Sequence, residues 1–209
     1  MKSAVKAVVL DIGNVLIEWQ PERFYDEVIG VERRKALFEA VDLHEMNEQI
    51  DLGGAFQGTI YDTAEANPEW RDEIRMWYDR WIEMAQPVIE HTVHLMRALS
   101  QRGVPVYALS NFGVDSFSYA ESKYPFLAEF DRRFISGHLG MTKPNPLIYK
   151  TVEKESNLPP KALFFADDRA DNIAAARKRG WQTHLFEGPS GLADELVSRG
   201  ILTGAEAAL

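Results

Sequence analysis

The sequence contains no cysteine, and this absence is the first constraint on its chemistry. Disulfide scaffolds, thiolate metal sites and cysteine nucleophiles are therefore excluded. The sequence also lacks an apolar run near the roughly 18–20 residues that a membrane-spanning helix needs. The apolar part of Met1–Leu10 is too short for a signal peptide. These absences predict a cytoplasmic protein that does not bind a membrane.

Basic side chains are too few and too scattered to follow a nucleic-acid backbone. The 209 residues include 32 acidic and 23 basic side chains, which gives a formal net charge of −9. We therefore expect no nucleic-acid partner. A small phosphorylated substrate would meet this negative field, so its site should contain a local cation, either a metal ion or a lysine. The sequence is compatible with a monomer or a homodimer.

The spacing of apolar residues divides the chain into two kinds of segment. Ala4–Leu10 is a β-branched, apolar run of strand length, and Pro21–Ala85 has helical spacing throughout. After Pro87 helices alternate with strands, an order typical of a parallel sheet wrapped by helices. The strands predicted there are Val104–Leu109, Ala162–Ala166 and Trp181–Phe186.

We therefore predict an α/β fold with a small all-helical cap inserted after the first strand. The α/β core would comprise residues 1–17 and 86–209, and the cap residues 18–85. The linkers are expected near Ile17–Pro21 and Ala85–Val88. The aromatic residues of the cap that recur near helical spacing are predicted to form its core. They are Trp70, Trp77 and Trp81.

Reactive side chains follow three of the predicted strands. Asp11 follows the first strand, Ser110 and Asn111 follow the second, and the pair Asp167 and Asp168 follows the third. Ligands of an open parallel sheet bind beyond the carboxyl ends of its strands. These side chains are therefore predicted to meet at one edge of the sheet.

Four short sequences at these points resemble the ordered motifs of the haloacid dehalogenase-like superfamily, in its type with a small helical cap (subfamily IA). They are VVLDIGNVL, ALSN, GMTKPNPLIY with its Lys143, and FFADDRADN. One such motif would carry little weight, whereas four in the right order are a specific signal. The resemblance covers nearly the whole chain and implies a Rossmann-like parallel sheet flanked by helices.

The resemblance further implies a phosphohydrolase that acts on a small phosphomonoester. Asp11 would be the nucleophile, forming an aspartyl-phosphate that water later hydrolyses. Ser110, Asn111 and Gly13 would bind the substrate, and Lys143 would supply positive charge near both the phosphate and Asp11. Because Lys143 precedes Pro144, a residue suited to the first turn of a helix, it is expected near a helix N-terminus.

Mg²⁺ is the cofactor that the resemblance implies. Its ligands would be Asp11, the backbone carbonyl of Gly13, and Asp167 or Asp168, because Mg²⁺ prefers oxygen ligands. The ion would shield the nucleophilic carboxylate from the anionic substrate. Asp171 is expected to cap the next helix or to hydrogen-bond one of these ligands without binding the ion itself.

Gly13 occupies the place where most phosphatases of this superfamily carry an acid–base aspartate. Members that act on sugar phosphates, of the α-D-glucose-1-phosphate type, share the Asp-Leu/Ile-Gly-Asn pattern, and the chain resembles these most. Either the leaving group needs little protonation, as an anomeric sugar oxygen would, or a water or a cap residue replaces the missing acid. The candidates in the cap region are Glu18, Phe56 and Gln57. The segment Gly53–Gly58 would either reach the leaving group or simply connect two helices.

Two other functions stay open on sequence grounds. A 2-haloacid dehalogenase also uses an aspartate nucleophile but no metal, and Asp167 beside Asp168 would be a costly pair without a cation. The second alternative is a weakly active module that binds a phosphorylated ligand, because Gly13 removes the usual acid.

His91 and His94 lie three residues apart on a predicted helix, but without a third metal ligand they are expected to be packing or surface residues.

Overall fold

The computed structural model describes residues 4–209 and contains a five-stranded parallel sheet. The strand order is β3-β2-β1-β4-β5, and every neighbouring pair is parallel. This confirms the predicted α/β fold. The strands are β1 (Ala7–Leu10), β2 (Val106–Ser110), β3 (Arg132–Ile135), β4 (Leu163–Asp167) and β5 (Gln182–Leu185).

The central strand β1 explains how the sheet is covered on both faces. Val8 and Leu10 pack into one hydrophobic cluster, while Ala7 and Val9 pack into another on the opposite face. Successive side chains of a strand point to opposite faces, so an all-apolar strand must be buried twice. All four side chains are fully buried.

Six helices lie between β1 and the predicted linker at Ala85–Val88, and this part of the described chain contributes no strand to the sheet. A single 3-10 turn at Pro68–Trp70 interrupts them. The helices are α1 (Pro21–Ile29), α2 (Val31–Ala40), α3 (Leu43–Asp51), α4 (Phe56–Ala66), α5 (Arg71–Asp79) and α6 (Trp81–Met84).

The helices of the rest of the chain flank the sheet. The hydrogen bonds of His91 and His94 go to the backbone carbonyls of Ala207 and Glu206, so both rings fasten the C-terminal residues. The helices are α7 (Glu90–Gln101), α8 (Val114–Lys123), α9 (Ser136–Leu139), α10 (Pro146–Ser156), α11 (Ala170–Lys178), α12 (Pro189–Ser198) and α13 (Gly204–Ala207). Among residues 4–209, none of the helices is both long and apolar enough to cross a membrane.

Two local predictions were wrong. Strand β3 was not predicted, because two of its four residues, Arg132 and Arg133, are exposed and charged at the edge of the sheet. The expected helix after Lys143 begins at Pro146 instead of Pro144. The side chain of Asn145 accepts a hydrogen bond from the backbone N–H of Leu147, which places the helix start there.

The helical insertion shares a hydrophobic core with one face of the sheet. A single hydrophobic cluster joins insertion residues such as Trp77 and Trp81 to Val8 and Leu10 of β1. The predicted linkers lie side by side, since the N–H of Glu18 donates to the carbonyl of Pro87 at 3.0 Å. Trp70 is only partly buried against the same cluster. The three tryptophans therefore contribute to a core that the insertion shares with the sheet.

Candidate active site

The carboxyl ends of β1, β2 and β4 meet at one cavity of about 420 Å³. Asp11 and Ser110 lie there, and Asp168 follows the last residue of β4. Lys143 reaches the same cavity from the loop before α10. The structure thus brings together the side chains that the sequence analysis placed at one edge of the sheet.

Lys143 forms a buried ion triad with two carboxylates. Its Nζ lies 2.8 Å from Oδ1 of Asp11 and 2.7 Å from Oδ2 of Asp167. Burial lowers the pKa of the Lys143 ammonium, but the two carboxylates outweigh burial and raise it. Burial raises the pKa of Asp11, and Lys143 opposes that rise. Lys143 therefore stays charged and favours the ionised form of Asp11.

The oxygens of Asp167 are all engaged by the protein. Besides Lys143, the Nδ2 of Asn172 donates to both oxygens at 3.0 and 3.1 Å, and the N–H of Arg169 donates to Oδ1 at 2.8 Å. Asp167 is fully buried. Its side chain therefore has a fixed orientation and serves to hold Lys143. Asn172 was not singled out from the sequence, although it ends the fourth motif.

Asp168 is less constrained and lines the cavity. Its Oδ2 accepts one hydrogen bond, from Nδ2 of Asn14 at 3.0 Å. Burial raises the pKa of Asp168, and the bond from Asn14 counteracts this. The Oδ1 of Asn14 accepts from the N–H of Trp19 at 2.9 Å, so Asn14 joins Asp168 to the start of the insertion. This linking role of Asn14 had no signal in the sequence beyond its place in the first motif.

Ser110 and Asn111 act on different neighbours. The hydroxyl of Ser110 hydrogen-bonds the Asp11 carboxylate and lowers its pKa. The side chain of Asn111 is bound to the backbone of Lys143, donating to its carbonyl at 3.0 Å and accepting from its N–H at 2.7 Å. Asn111 thus fixes the loop that carries Lys143, and its contact with substrate stays a prediction.

A divalent cation fits the chemistry of this donor set. Asp11, Asp167 and Asp168 each offer a carboxylate oxygen, and these oxygens lie within 4.8 Å of one another. Three carboxylates face the single ammonium of Lys143, so the site retains negative charge in a buried setting. Asp171 is outside this cluster and pairs with Arg169 at 2.7 Å on the surface.

The helical insertion supplies the opposite wall of the cavity. Four polar side chains of α3 lie on one helix face at the spacing i, i+3, i+4 and i+7, while the apolar face of α3 packs inward. The four residues, named the α3 stripe from here on, are His44, Asn47, Glu48 and Asp51.

Other cap residues that the sequence suggested have different positions. Glu18 lines the cavity but is paired with Arg23 at 2.7 Å. The segment Gly53–Gly58, with Phe56 and Gln57, lies outside the cavity lining. A side chain at Gly53 would collide with the carbonyl of Gly137, so this segment packs on the sheet domain beside the cavity. Within the insertion, α3 lines the cavity instead.

The parallel α/β sheet and its acidic strand-end site define a hydrolase-type architecture. The sequence pattern of the haloacid dehalogenase-like hydrolase family matches residues 5–180, and the chain belongs to this family. This confirms the resemblance seen in the four motifs.

Individual relatives are distant. The chain is 24% identical over 194 residues to a drimenol cyclase of Aspergillus calidoustus, covering 87% of this chain but only 34% of that protein. It is 24% identical to a D-ribitol-5-phosphate phosphatase of Bacteroides thetaiotaomicron, covering 92% of this chain and 97% of the relative. Among solved structures, a HAD family enzyme from the same bacterium, in complex with magnesium and inorganic phosphate, has a TM-score of 0.67 at 21% identity. The match covers 88% of this chain and 96% of that one.

Proposed function

We propose that the protein is a Mg²⁺-dependent phosphohydrolase that cleaves a small phosphomonoester through an aspartyl-phosphate on Asp11. The observation that carries the proposal is the cluster of Asp11, Asp167 and Asp168 around one cavity that also contains Ser110 and Lys143. An anionic substrate needs positive charge at such an acidic site. The family membership and the phosphatase activity of the ribitol-phosphate relative support the same reaction.

Each residue of the site has its own role in the proposed reaction. Asp11 attacks phosphorus in line. Burial raises its pKa to about 7, and Lys143 and Ser110 oppose that rise and so favour the ionised form. Ser110 and Lys143 also bind the oxygens of the transferring phosphoryl group. Asp11, Asp168 and the carbonyl of Gly13 would hold Mg²⁺, while Asp167 orients Lys143. Bound Mg²⁺ supplies charge neutralisation at the phosphoryl oxygens.

The substrate class that we propose is a hydroxyl-bearing phosphomonoester, such as a polyol or sugar phosphate, including anomeric sugar phosphates. The α3 stripe offers imidazole, amide and carboxylate groups, all of which hydrogen-bond to hydroxyls. A cavity of about 420 Å³ suits a ligand of that size. The D-ribitol-5-phosphate phosphatase among the relatives supports this class.

Phosphate release from a panel of sugar and polyol phosphates, measured with and without Mg²⁺, tests the proposal. Halide release from 2-chloropropionate is measured beside it. Phosphate release that depends on Mg²⁺ is expected. Halide release alone would favour the metal-free dehalogenase, which the three clustered carboxylates argue against. Binding of phosphate esters without turnover would favour the phospho-ligand-binding module.

The metal requirement has its own variant test. EDTA should abolish phosphate release and added Mg²⁺ should restore it. Asp168→Ala should raise the Mg²⁺ concentration for half-maximal rate by at least about 10–100-fold, the usual effect of losing even an outer partner of a metal. Asp171→Ala is the matched control, because Asp171 is paired with Arg169 outside the cluster. Equal Mg²⁺ requirements in the two variants would contradict the assignment of Asp168.

A further inference from the structure

The proposed reaction lacks an obvious proton donor at the strand ends. Gly13 has no side chain, and Lys143 is occupied by two carboxylates. An alkyl or sugar alkoxide is a poor leaving group unless a positioned acid protonates it, and such help is usually worth about 10²–10⁴-fold. This inference rests on the proposed function, and it concerns which residue supplies that proton.

Four carboxyl groups lie in the cavity wall that faces the strand ends, and three of them are poorly suited. Glu18 is paired with Arg23 at 2.7 Å, and Glu22 lies 2.9 Å from His44. Glu48 is exposed at the cavity rim. The fourth, Asp51, is partly buried, and no salt bridge found among residues 4–209 includes it.

Asp51 is held in place by the sheet domain as well as by its own helix. The hydroxyl of Ser136 donates to the backbone carbonyl of Asp51 at 2.6 Å, and the N–H of Gly113 hydrogen-bonds its carboxylate. The Nδ2 of Asn47 donates to Oδ2 at 3.0 Å. Asn47 is itself oriented by the indole N–H of Trp77 at 3.3 Å. These contacts preorganise the carboxyl group at the cavity wall.

The contact between α3 and the loops of the sheet is very close. A side chain at Gly113 would collide with Ile50, the residue before Asp51 in α3. A side chain at Gly137 would collide with the backbone at Phe112 and Val114. Because Ile50 packs this closely on Gly113, the end of α3 cannot shift freely relative to the loop that follows Ser110.

We infer that Asp51 is the general acid and base of the hydrolysis and replaces the side chain that Gly13 lacks. In the first step Asp11 attacks phosphorus, the bond from phosphorus to the leaving oxygen breaks, and the proton of Asp51 passes to that oxygen to give the free alcohol. In the second step the Asp51 carboxylate takes a proton from water as water attacks phosphorus. The bond to Asp11 breaks, inorganic phosphate leaves, and Asp51 is protonated again.

The electrostatic setting of Asp51 agrees with both steps. The pKa of Asp51 is raised to about 7, chiefly by burial and also by Glu48, while the N–H of Gly113 opposes the rise. Of the charged groups across the cavity, Asp11 raises this pKa and Lys143 lowers it. A carboxyl group with a pKa near neutrality can both donate and accept a proton during one turnover.

The test compares leaving groups in Asp51→Asn. The isosteric amide cannot donate a carboxylic proton, so hydrolysis of alkyl and polyol phosphates should fall by about 10²–10⁴-fold. kcat/KM for p-nitrophenyl phosphate, which reports only the first step, should fall much less, because its leaving group needs little protonation. Glu45→Gln is the control: Glu45 is an exposed residue of α3 that does not line the cavity, and its substitution should leave both rates unchanged.

A second substitution separates the acid role from a packing role. A Cβ at Gly13 would have only an ordinary contact with Trp19 at 3.9 Å, so the first side-chain atom of Gly13→Asp meets no collision. Adding Gly13→Asp to Asp51→Asn should restore hydrolysis of alkyl phosphates. A merely structural role of Asp51 would not be rescued in this way.

The wild-type protein supplies a test that needs no variant. kcat/KM for an alkyl phosphate should fall as pH rises through the pKa of Asp51, because the acid must be protonated, and this limb should be absent with p-nitrophenyl phosphate. Equal losses of kcat/KM for aryl and alkyl phosphates in Asp51→Asn, or an unchanged kcat/KM for the alkyl phosphate, would overturn the inference. If the wild-type protein hydrolysed no phosphomonoester, the proposed function would fail instead, whatever the behaviour of Asp51.

Discussion

Asp11→Asn is expected to reduce phosphate release by on the order of 10⁴–10⁶-fold, the scale on which loss of a covalent nucleophile acts. The amide has nearly the same shape as the carboxylate but cannot form an acyl phosphate. Asp167 remains as an ionic partner of Lys143 at 2.7 Å, so the fold should survive. Phosphate release and far-ultraviolet circular dichroism, measured on the same preparation, check both statements.

The Asn variant also separates chemistry from binding. It should still bind inorganic phosphate, because Ser110 and Lys143 are unchanged. A trapping experiment with acid quench should find phosphorylated protein in the wild type and none in the variant. Substantial turnover in Asp11→Asn would exclude the covalent route, even if the protein proved to be a phosphatase.

Lys143→Met is expected to have the second largest effect, because it leaves Asp11 and Asp167 buried without their cation. Removing one partner of a buried ion pair typically destabilises a protein by about 3–5 kcal/mol. The pKa of Asp11 should rise further, so fewer molecules carry the ionised nucleophile. Activity should therefore fall by at least about 10²–10³-fold, the loss seen when a group that stabilises the transition state is removed.

The pH dependence of Lys143→Met gives a sharper check of that reason. The pKa of Asp11 already lies above its unfolded value in the wild type and should rise further without Lys143, so the stability deficit of the variant should shrink as pH falls and Asp11 becomes protonated. Urea unfolding at several pH values measures this deficit. Lys150→Met, at an exposed position of α10, is the control and should change stability little at any pH. A deficit that grew toward low pH would contradict the account of the ion triad.

Much of the site could be read from the sequence because its residues lie at the ends of strands. A strand such as Ala7–Leu10 can be recognised by its apolar, β-branched residues. The polar residue that follows must then lie at the edge of the sheet where the strands end. The same argument located Ser110 and the pair at Asp167. Strand β3 gave no such signal, because an edge strand needs burial on fewer sides and tolerates Arg132 and Arg133.

Asp51 could not be located in this way. An acidic residue on an amphipathic helix usually faces water, and nothing in the local sequence of α3 distinguishes Asp51 from Glu48. Its position depends on the contact of α3 with Gly113 and Ser136, residues more than 60 positions away along the chain. Asn14 and Asn172 were missed for a related reason, because the local sequence does not show which distant group an amide side chain will hydrogen-bond.

The paired linkers make the insertion a separate piece of sequence whose two ends lie side by side, at Glu18 and Pro87. The shared hydrophobic cluster has the opposite effect on energetics, since buried residues of the insertion and of β1 belong to one continuous core. The insertion is thus a continuous piece of sequence, yet it is expected to unfold together with the sheet. Urea unfolding should show one transition, with fluorescence of Trp77 and of Trp181 on the far face of the sheet changing at the same urea concentration. Single-tryptophan variants would measure this coincidence, and two separate midpoints would mean that the insertion folds as an independent unit.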